Sequence, residues 1–414
     1  MTSYARRTFQ ALHNRNYRLY AAGQSVSVTG TWMQKVAQIL LVLELTDSGT
    51  LLGVTAALQL LPTLLLTPWG GLLADRFDKR RILLWTQGAS AVPAVVLGVL
   101  TLTGAATIHI VLALAFALGC IEAVDKPARH TFVNDLVEPA DLTNAVGLNN
   151  IVQNAGKVVG PAVAGVVIAL LGLPWGFFIN AASFLAVLVA LALIRPGFVA
   201  PRPPAQRSRG QLREGLRYVR SRPDLFGALV LMSVSGLLAY NWTVVLPLLA
   251  RDTFGTGPTT VGLTFTVMGA GAVIGGLALA GTMRATRRRL TGWALAFAAM
   301  IAAVAASPTI EIAFVFLFAL GTSSILFRTA AGSLLQLRAE PAMRGRVISL
   351  FVLATGGTTP LGAPLIGWIS ETYSVRVALA IASTGTALAA LWAFRYMRRE
   401  ETARTEEAAL SGQA

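Results

Sequence analysis

Six ionisable side chains stand inside stretches otherwise built from apolar residues: Lys35, Glu122, Asp125, Lys126, Lys157 and Arg328. A charge in hydrocarbon is costly unless it faces water or a partner, so these residues are the first candidates for a functional site. Glu122, Asp125 and Arg129 fall at i, i+3 and i+7, on one face of a helix. A carboxylate on that face can alternate between an ion pair and a desolvated, protonated state, because burial favours its neutral form and a nearby cation its charged form. This reading gives proton uptake to Asp125 or Glu122, with Lys157 or Lys126 as the alternating partner. A permanent structural salt bridge fits the same spacing.

Uncharged polar residues extend the pattern. Gln24, Ser27, Thr31, Lys35 and Gln38 recur at helical spacing, with Gln34 beside them, and Asn149, Gln153 and Lys157 form a second stripe. Such stripes line a wet cavity or act as polar glue between helices. Tyr240, Asn241 and Trp242 fall in the middle of an apolar block instead of at its ends, where interfacial aromatics collect, so they and Arg328 join the cavity candidates. Aromatics also fill helix interfaces, and packing is the alternative for Tyr240 and Trp242.

The elements that must position these groups are membrane-spanning helices. The 414 residues are 55% hydrophobic and 13% charged, with a mean hydropathy of +0.64, which leaves a soluble fold no place for its apolar surface. Blocks such as 82–104 and 174–194 carry almost no charge and approach the roughly 20 residues that a helix needs to cross a bilayer. Spanning strands would be about half as long and alternating. The net charge of +15 raises nucleic-acid binding as a reading, but the basic residues occupy every second connection between blocks, which marks cytoplasmic loops. Both termini are therefore expected inside, with no nucleic-acid partner. The lone Cys120 and the scattered His13, His109 and His130 give no disulfide framework, metal site or cofactor site. Walker A, HExxH and GxSxG motifs are absent, so no enzyme is expected.

The chain repeats itself. Glu138-Pro139-Ala140 matches Glu340-Pro341-Ala342, and the same offset pairs Leu148 with Leu350, Gly160 with Gly362, Gly165 with Gly367 and Lys126 with Arg328. A nearby offset pairs Gly70-Gly71-Leu72 with Gly275-Gly276-Leu277, each followed by a basic run. The fold class expected is an all-α membrane protein of twelve transmembrane helices in two pseudo-symmetric six-helix bundles, 1–195 and 225–400. Residues 196–224 form a cytoplasmic linker whose GQLREGLRYVRS segment reads as an amphipathic helix lying on an anionic leaflet, and 401–414 a disordered cytoplasmic tail.

Two motifs carry a family resemblance. Gly71, Asp75, Arg76, Lys79 and Arg80 lie in GLLADRFDKRR, between the second and third blocks, where Asp75 could cap a helix or pair with a cation. This pattern resembles the loop 2-3 signature of the major facilitator superfamily, which implies a gating role for the loop; Asp78 stands where many members have Gly. Gly147, Gly156, Gly160, Pro161, Ala164 and Gly165 space small residues along the fifth block, which by itself suits a tight packing seam. The spacing is similar to the antiporter motif of the superfamily's drug exporters, with Ala164 replacing one glycine, and implies export. NRNYRLYAAGQ, DKPARHTFVNDLV and NAVGLNNIVQNAGKVVGPAVAG are similar to the branch that contains the enterobactin exporter and macrolide efflux pumps. The resemblance implies a multi-pass monomer of the bacterial cytoplasmic membrane that exports a small amphipathic molecule by alternating access, in exchange for protons. An uncoupled channel-like or lipid-translocating protein, or an importer of a small nutrient, are the alternatives.

Overall fold

The computed structural model describes residues 9–194, 211–279 and 286–410. The Pro201–Pro204 run and Arg6, Arg7 and Arg284 lie outside the described residues. Among the described residues the chain is helical and has no strand, and twelve helices are long and apolar enough to cross a membrane. In lipid every backbone polar group must find a partner inside the protein, and a helix provides one within its own segment.

The first six spans are α1 (Arg15–Thr46), α2 (Gly49–Arg76), α3 (Lys79–Leu102), α4 (Ile108–Leu136), α5 (Leu142–Leu171) and α6 (Leu173–Leu193). Their starts are set locally: Asn14 accepts from the backbone N–H groups of Asn16 and Tyr17, and Ser48 from that of Leu51. After the short α7 (Gln211–Arg220), the seventh span is broken into α8 (Pro223–Leu238) and α9 (Trp242–Leu248), and a π-helical turn at Leu249–Thr253 completes it. Then come α10 (Pro258–Leu279), α11 (Arg287–Ala306) and α12 (Ile310–Arg338). The eleventh span is again broken, into α13 (Arg344–Gly356) and α14 (Thr359–Thr372), and α15 (Val375–Leu410) is the last.

By contacts the chain divides into two compact units, Met1–Ala205 with Gly255–Thr266, and Gln206–Phe254 with Val267–Ala414. The expected division into 1–195 and 225–400 differs in that the first turns of α10 go with the first unit. Within each unit, helices approach through glycines. Gly70 packs on the Ala123 carbonyl and Gly119 on that of Gln59, and in the second unit Gly271 packs on the Phe318 carbonyl and Gly321 on that of Met268.

Two segments outside the spans have structure of their own. The 401–414 segment is helical as far as Leu410, because ETARTEEAAL is rich in strong helix formers. The α7 helix docks on protein as well as carrying its exposed arginines. Val219 is buried, Glu214 pairs with Arg346 at 2.7 Å, and the Tyr218 hydroxyl accepts from the Glu340 N–H.

Candidate functional site

The charged residues of α4 come together with polar groups of three other helices. Asp125 is only 2% exposed; its Oδ1 accepts from Thr86 Oγ1 and from Gln87 Nε2, both at 2.7 Å, and its Oδ2 pairs with Arg129 one turn along. Arg129 in turn reaches Gln24 Oε1 of α1 at 3.4 Å. One turn earlier, Glu122 pairs with Lys126 at 2.6 Å and accepts from Gln59 Nε2 of α2 at 3.3 Å. Lys35 lies over the Trp32 ring, 4.5 Å from its centroid, within electrostatic range of Glu122 and Lys126. The result is one coupled cluster of two carboxylates and three cations inside the first unit. Asp125 is buried, Glu122, Arg129 and Lys35 are half-buried and Lys126 is exposed; the buried charge is tolerable because Asp125 has a cation and two neutral donors.

Around the Asp125–Arg129 pair, four buried polar atoms have no partner among the described residues: Tyr20 Oη, Gln24 Nε2, Gln87 Oε1 and Arg129 Nε. They include two N–H donors, an acceptor and a hydroxyl, a set complementary to water.

The structure separates several other candidates from this cluster. Lys157 is exposed and donates to Asn154 Oδ1 at 3.3 Å; the cation paired with Asp125 is Arg129, and the one paired with Glu122 is Lys126. Gln34 accepts from Asn180 Nδ2 of α6 at 2.6 Å, and Ser183 donates to Asn180 Oδ1 at 3.0 Å, which ties α1 to α6 as polar glue. Thr31 turns its hydroxyl back to the Ser27 carbonyl. Gln38 and Asn149 are buried and Gln153 half-buried.

In the second unit, Tyr240, Asn241 and Trp242 sit at the break in the seventh span. Tyr240 stacks on Phe297 at 5.2 Å and donates to the Ser324 carbonyl, Trp242 meets Phe297 edge-on, and Phe297 contacts Phe327. Asn241 is 1% exposed; its Nδ2 donates to the Leu237 carbonyl, while Oδ1 has no partner among the described residues. Both rings make the contacts of the packing alternative while remaining half-buried, and Asn241 closes the free end of α8. Arg328 is exposed, within electrostatic range of the Tyr240 hydroxyl, and makes no hydrogen bond or ion pair among the described residues.

The loop residues divide their tasks differently from the expectation. Asp75 and Arg76 end α2, exposed and without a hydrogen bond or ion pair among the described residues, while Gly71 is buried. Asp78 caps α3 by accepting from the Arg80 N–H. Lys79 pairs with Asp135 at 2.7 Å, and Arg80 donates to the Leu191 and Ala192 carbonyls at the end of α6. Along α5, Gly156 packs on Val28 and Gly160 on Trp32 and the Thr29 carbonyl, both of α1. Gly165 packs on Thr259, and the Pro161 carbonyl on Gly262, both in the first turns of α10. Ala164 is fully buried, and Gly147 stands apart from the seam with nothing within 4 Å.

Sequence reasoning missed Tyr20, Gln59, Thr86 and Gln87. Their signal was available: each is a polar side chain inside an apolar block, and it is the hydrogen-bonding demand of Asp125 and Glu122 that recruits three of them.

A family model described as transmembrane secretion effector, within the major facilitator superfamily, matches residues 6–411. The chain belongs to that family. Its curated relatives include the staphyloferrin A transporter of Staphylococcus aureus, 26% identical over 91% of this chain and 95% of the relative. Macrolide efflux protein A of Streptococcus pyogenes is 23% identical over 86% of this chain and 88% of the relative, and the enterobactin exporter EntS of Citrobacter koseri 24% over 78% and 77%. Among solved structures, the nucleoside transporter NupG has a TM-score of 0.74 at 13% identity, covering 93% of this chain and 99% of that one. A bacterial homolog of the human lysosomal transporter Spinster has 0.73 at 15%, covering 92% and 97%. Family and fold are those of membrane transporters of small molecules, not of enzymes, and the protein is a multi-pass protein of the bacterial inner membrane.

Proposed function

We propose that this protein is a secondary exporter of a small amphipathic molecule, an antibiotic or a siderophore-like metabolite, that works by alternating access in exchange for protons. The observation that carries the coupling is Asp125, buried at 2% exposure inside a span, paired to Arg129 and ringed by unpartnered polar atoms. Protonating Asp125 releases Arg129 toward Gln24, and losing the proton restores the pair; a group held between two such states can be linked to a conformational change. The unpartnered atoms support the reading because buried polar groups of this kind hold the waters that deliver protons. Glu122 with Lys126 is the second titrating pair, and Lys35 tunes it by charge. Direction is supported by relatives named as an exporter and an efflux protein, and by the small-residue seam of α5. The positive-inside bias supports cytoplasmic termini, and the reading takes the chain to work as a monomer.

Substrate is found first with a pump-deficient bacterial strain expressing the chain, screened against antibiotics and siderophores. The purified chain in proteoliposomes is then assayed for that substrate with and without an imposed pH gradient. Wild type moves substrate only with the gradient, and Asp125→Asn loses gradient-driven transport while retaining substrate counterflow. Gradient-independent flux by the wild type would identify an uncoupled transporter, substrate accumulation by expressing cells would identify an importer, and intact driven transport in both Asp125→Asn and Glu122→Gln would end the coupling assignment.

A further inference from the structure

A cavity of about 400 Å³ in the second unit is lined by Thr286, Arg287, Arg288, Arg338, Phe394 and Arg398. The arginines come from three helices: the start of α11, the end of α12 and the point in α15 where its apolar span ends. Asp224, at the start of α8, lies near them, 3.7 Å from Arg287 and 3.8 Å from Arg338. The side chain of Arg338 remains 55% exposed, and Arg288 makes no hydrogen bond or ion pair among the described residues. The corresponding corner of the first unit is different: there Lys79 is committed to Asp135, and Arg80 to two carbonyls of α6.

The cavity is amphipathic. Phe394 forms part of its wall, and on another face of the same helix, two residues to either side, Trp392 and Tyr396 stack at 5.1 Å, with Phe226 against Tyr396 at 5.9 Å. Clustered Trp and Tyr mark the headgroup level of a bilayer. Guanidinium groups bind phosphate through paired, charge-assisted N–H donors, and basic pockets between spans suit anionic lipid headgroups. We propose that this cavity binds the phosphate of an anionic phospholipid, with Arg288 and Arg338 as its phosphate-facing residues and Phe394 against the glycerol or upper acyl region. An aromatic wall at headgroup depth favours a lipid over free phosphate, which would gain nothing from it.

The test uses the full chain, purified and delipidated in detergent, with lipid binding followed by native mass spectrometry. The probes are cardiolipin, phosphatidylglycerol, phosphatidylcholine and inorganic phosphate. Both anionic lipids should bind more tightly than phosphatidylcholine. Losing two arginines near the membrane surface in Arg288→Gln/Arg338→Gln should weaken that binding by about thirtyfold. Arg288→Lys/Arg338→Lys, which keeps the charge and loses the paired donors, should fall between. Arg81→Gln, an exposed arginine elsewhere, should bind like wild type, and unchanged melting without lipid checks that each variant is folded. Equal binding of phosphatidylcholine, or undiminished anionic-lipid binding by the Gln pair, overturns the proposal; displacement of lipid by millimolar inorganic phosphate overturns the lipid assignment in favour of a soluble anion.

Discussion

The fourth span and its counterpart in the second half, α4 and α12, are each 29 residues long and coincide end to end at the offset read from the sequence. What they bury is opposite. At the positions of Glu122, Asp125, Lys126 and Arg129 in α4, α12 has Ser324, Phe327, Arg328 and Ala331. Asp125 takes hydrogen bonds from two side chains of α3; Phe327, fully buried, packs against Phe297 of α11. The backbones diverge too. The fifth span is one unbroken helix, α5, while its counterpart is interrupted between α13 and α14, and the seventh span is interrupted opposite it, with Gly236 on the Ala354 and Thr355 carbonyls and Gly362 on that of Leu237. An aromatic cluster shows that the scaffold at this position packs without charge. A buried ion pair is often no more stable than the apolar packing that could replace it. The charges of α4 therefore fit the proposed coupling role better than a purely structural one, and the second half has broken helices and no such cluster among the described residues.

The largest effect is expected where one charge is left without the other. Arg129→Leu strands Asp125 and should cost about 4 kcal/mol, whereas Asp125→Leu/Arg129→Leu should recover most of it, as the second half already does without either. Thermal melting of the purified variants checks this. If the single variant melts like the wild type, the two halves do not differ in the way claimed. Phe327→Ala comes next, at about 3 kcal/mol from the lost packing. Its transport per folded molecule should keep the wild-type pH profile, measured in proteoliposomes between acidic and alkaline pH; a shifted profile would mean that the aromatic half also titrates.

A smaller effect separates the two carboxylates of the loop after α2. Asp78→Ala removes the cap of α3 and should cost about 1 kcal/mol, in parallel with Thr286→Ala, since Thr286 caps α11 in the same manner by accepting from the Arg289 N–H. Asp75→Ala, with no hydrogen bond or ion pair to lose, should melt like the wild type.

The fold was legible almost in full, because apolar block length, the basic loops and the internal repeat are properties of segments and need no knowledge of contacts. The site was legible in part. Glu122, Asp125 and Arg129 declare themselves as charges in hydrocarbon at helical spacing. Their partners do not, since nothing in a linear sequence says that Gln87 and Gln59 turn toward α4. The breaks at Tyr240 and at Gly356-Gly357 were hidden for another reason: both lie inside uniformly apolar blocks, and hydropathy reports whether a segment is in the membrane without reporting whether its helix is continuous. The Gly-Gly pair was the available signal for the eleventh span.

That break offers the finest test. A Cβ at Gly356 meets nothing within 4 Å, whereas one at Gly357 lies 2.6 Å from the Leu353 carbonyl oxygen. Gly356→Ala is therefore accommodated and should stabilise by up to about 1 kcal/mol by restricting the unfolded chain. Gly357→Ala must displace backbone and should destabilise. If the interruption between α13 and α14 serves as a hinge, stiffening it through Gly356→Ala should lower the turnover rate with substrate affinity unchanged, as hinge positions absorb backbone rotation without touching substrate. Gly147→Ala in the unbroken α5, likewise free of neighbours, should gain similar stability and leave turnover alone. Equal turnover in the two variants would remove the hinge from the second half and leave the charge of α4 as the one functional difference between the halves.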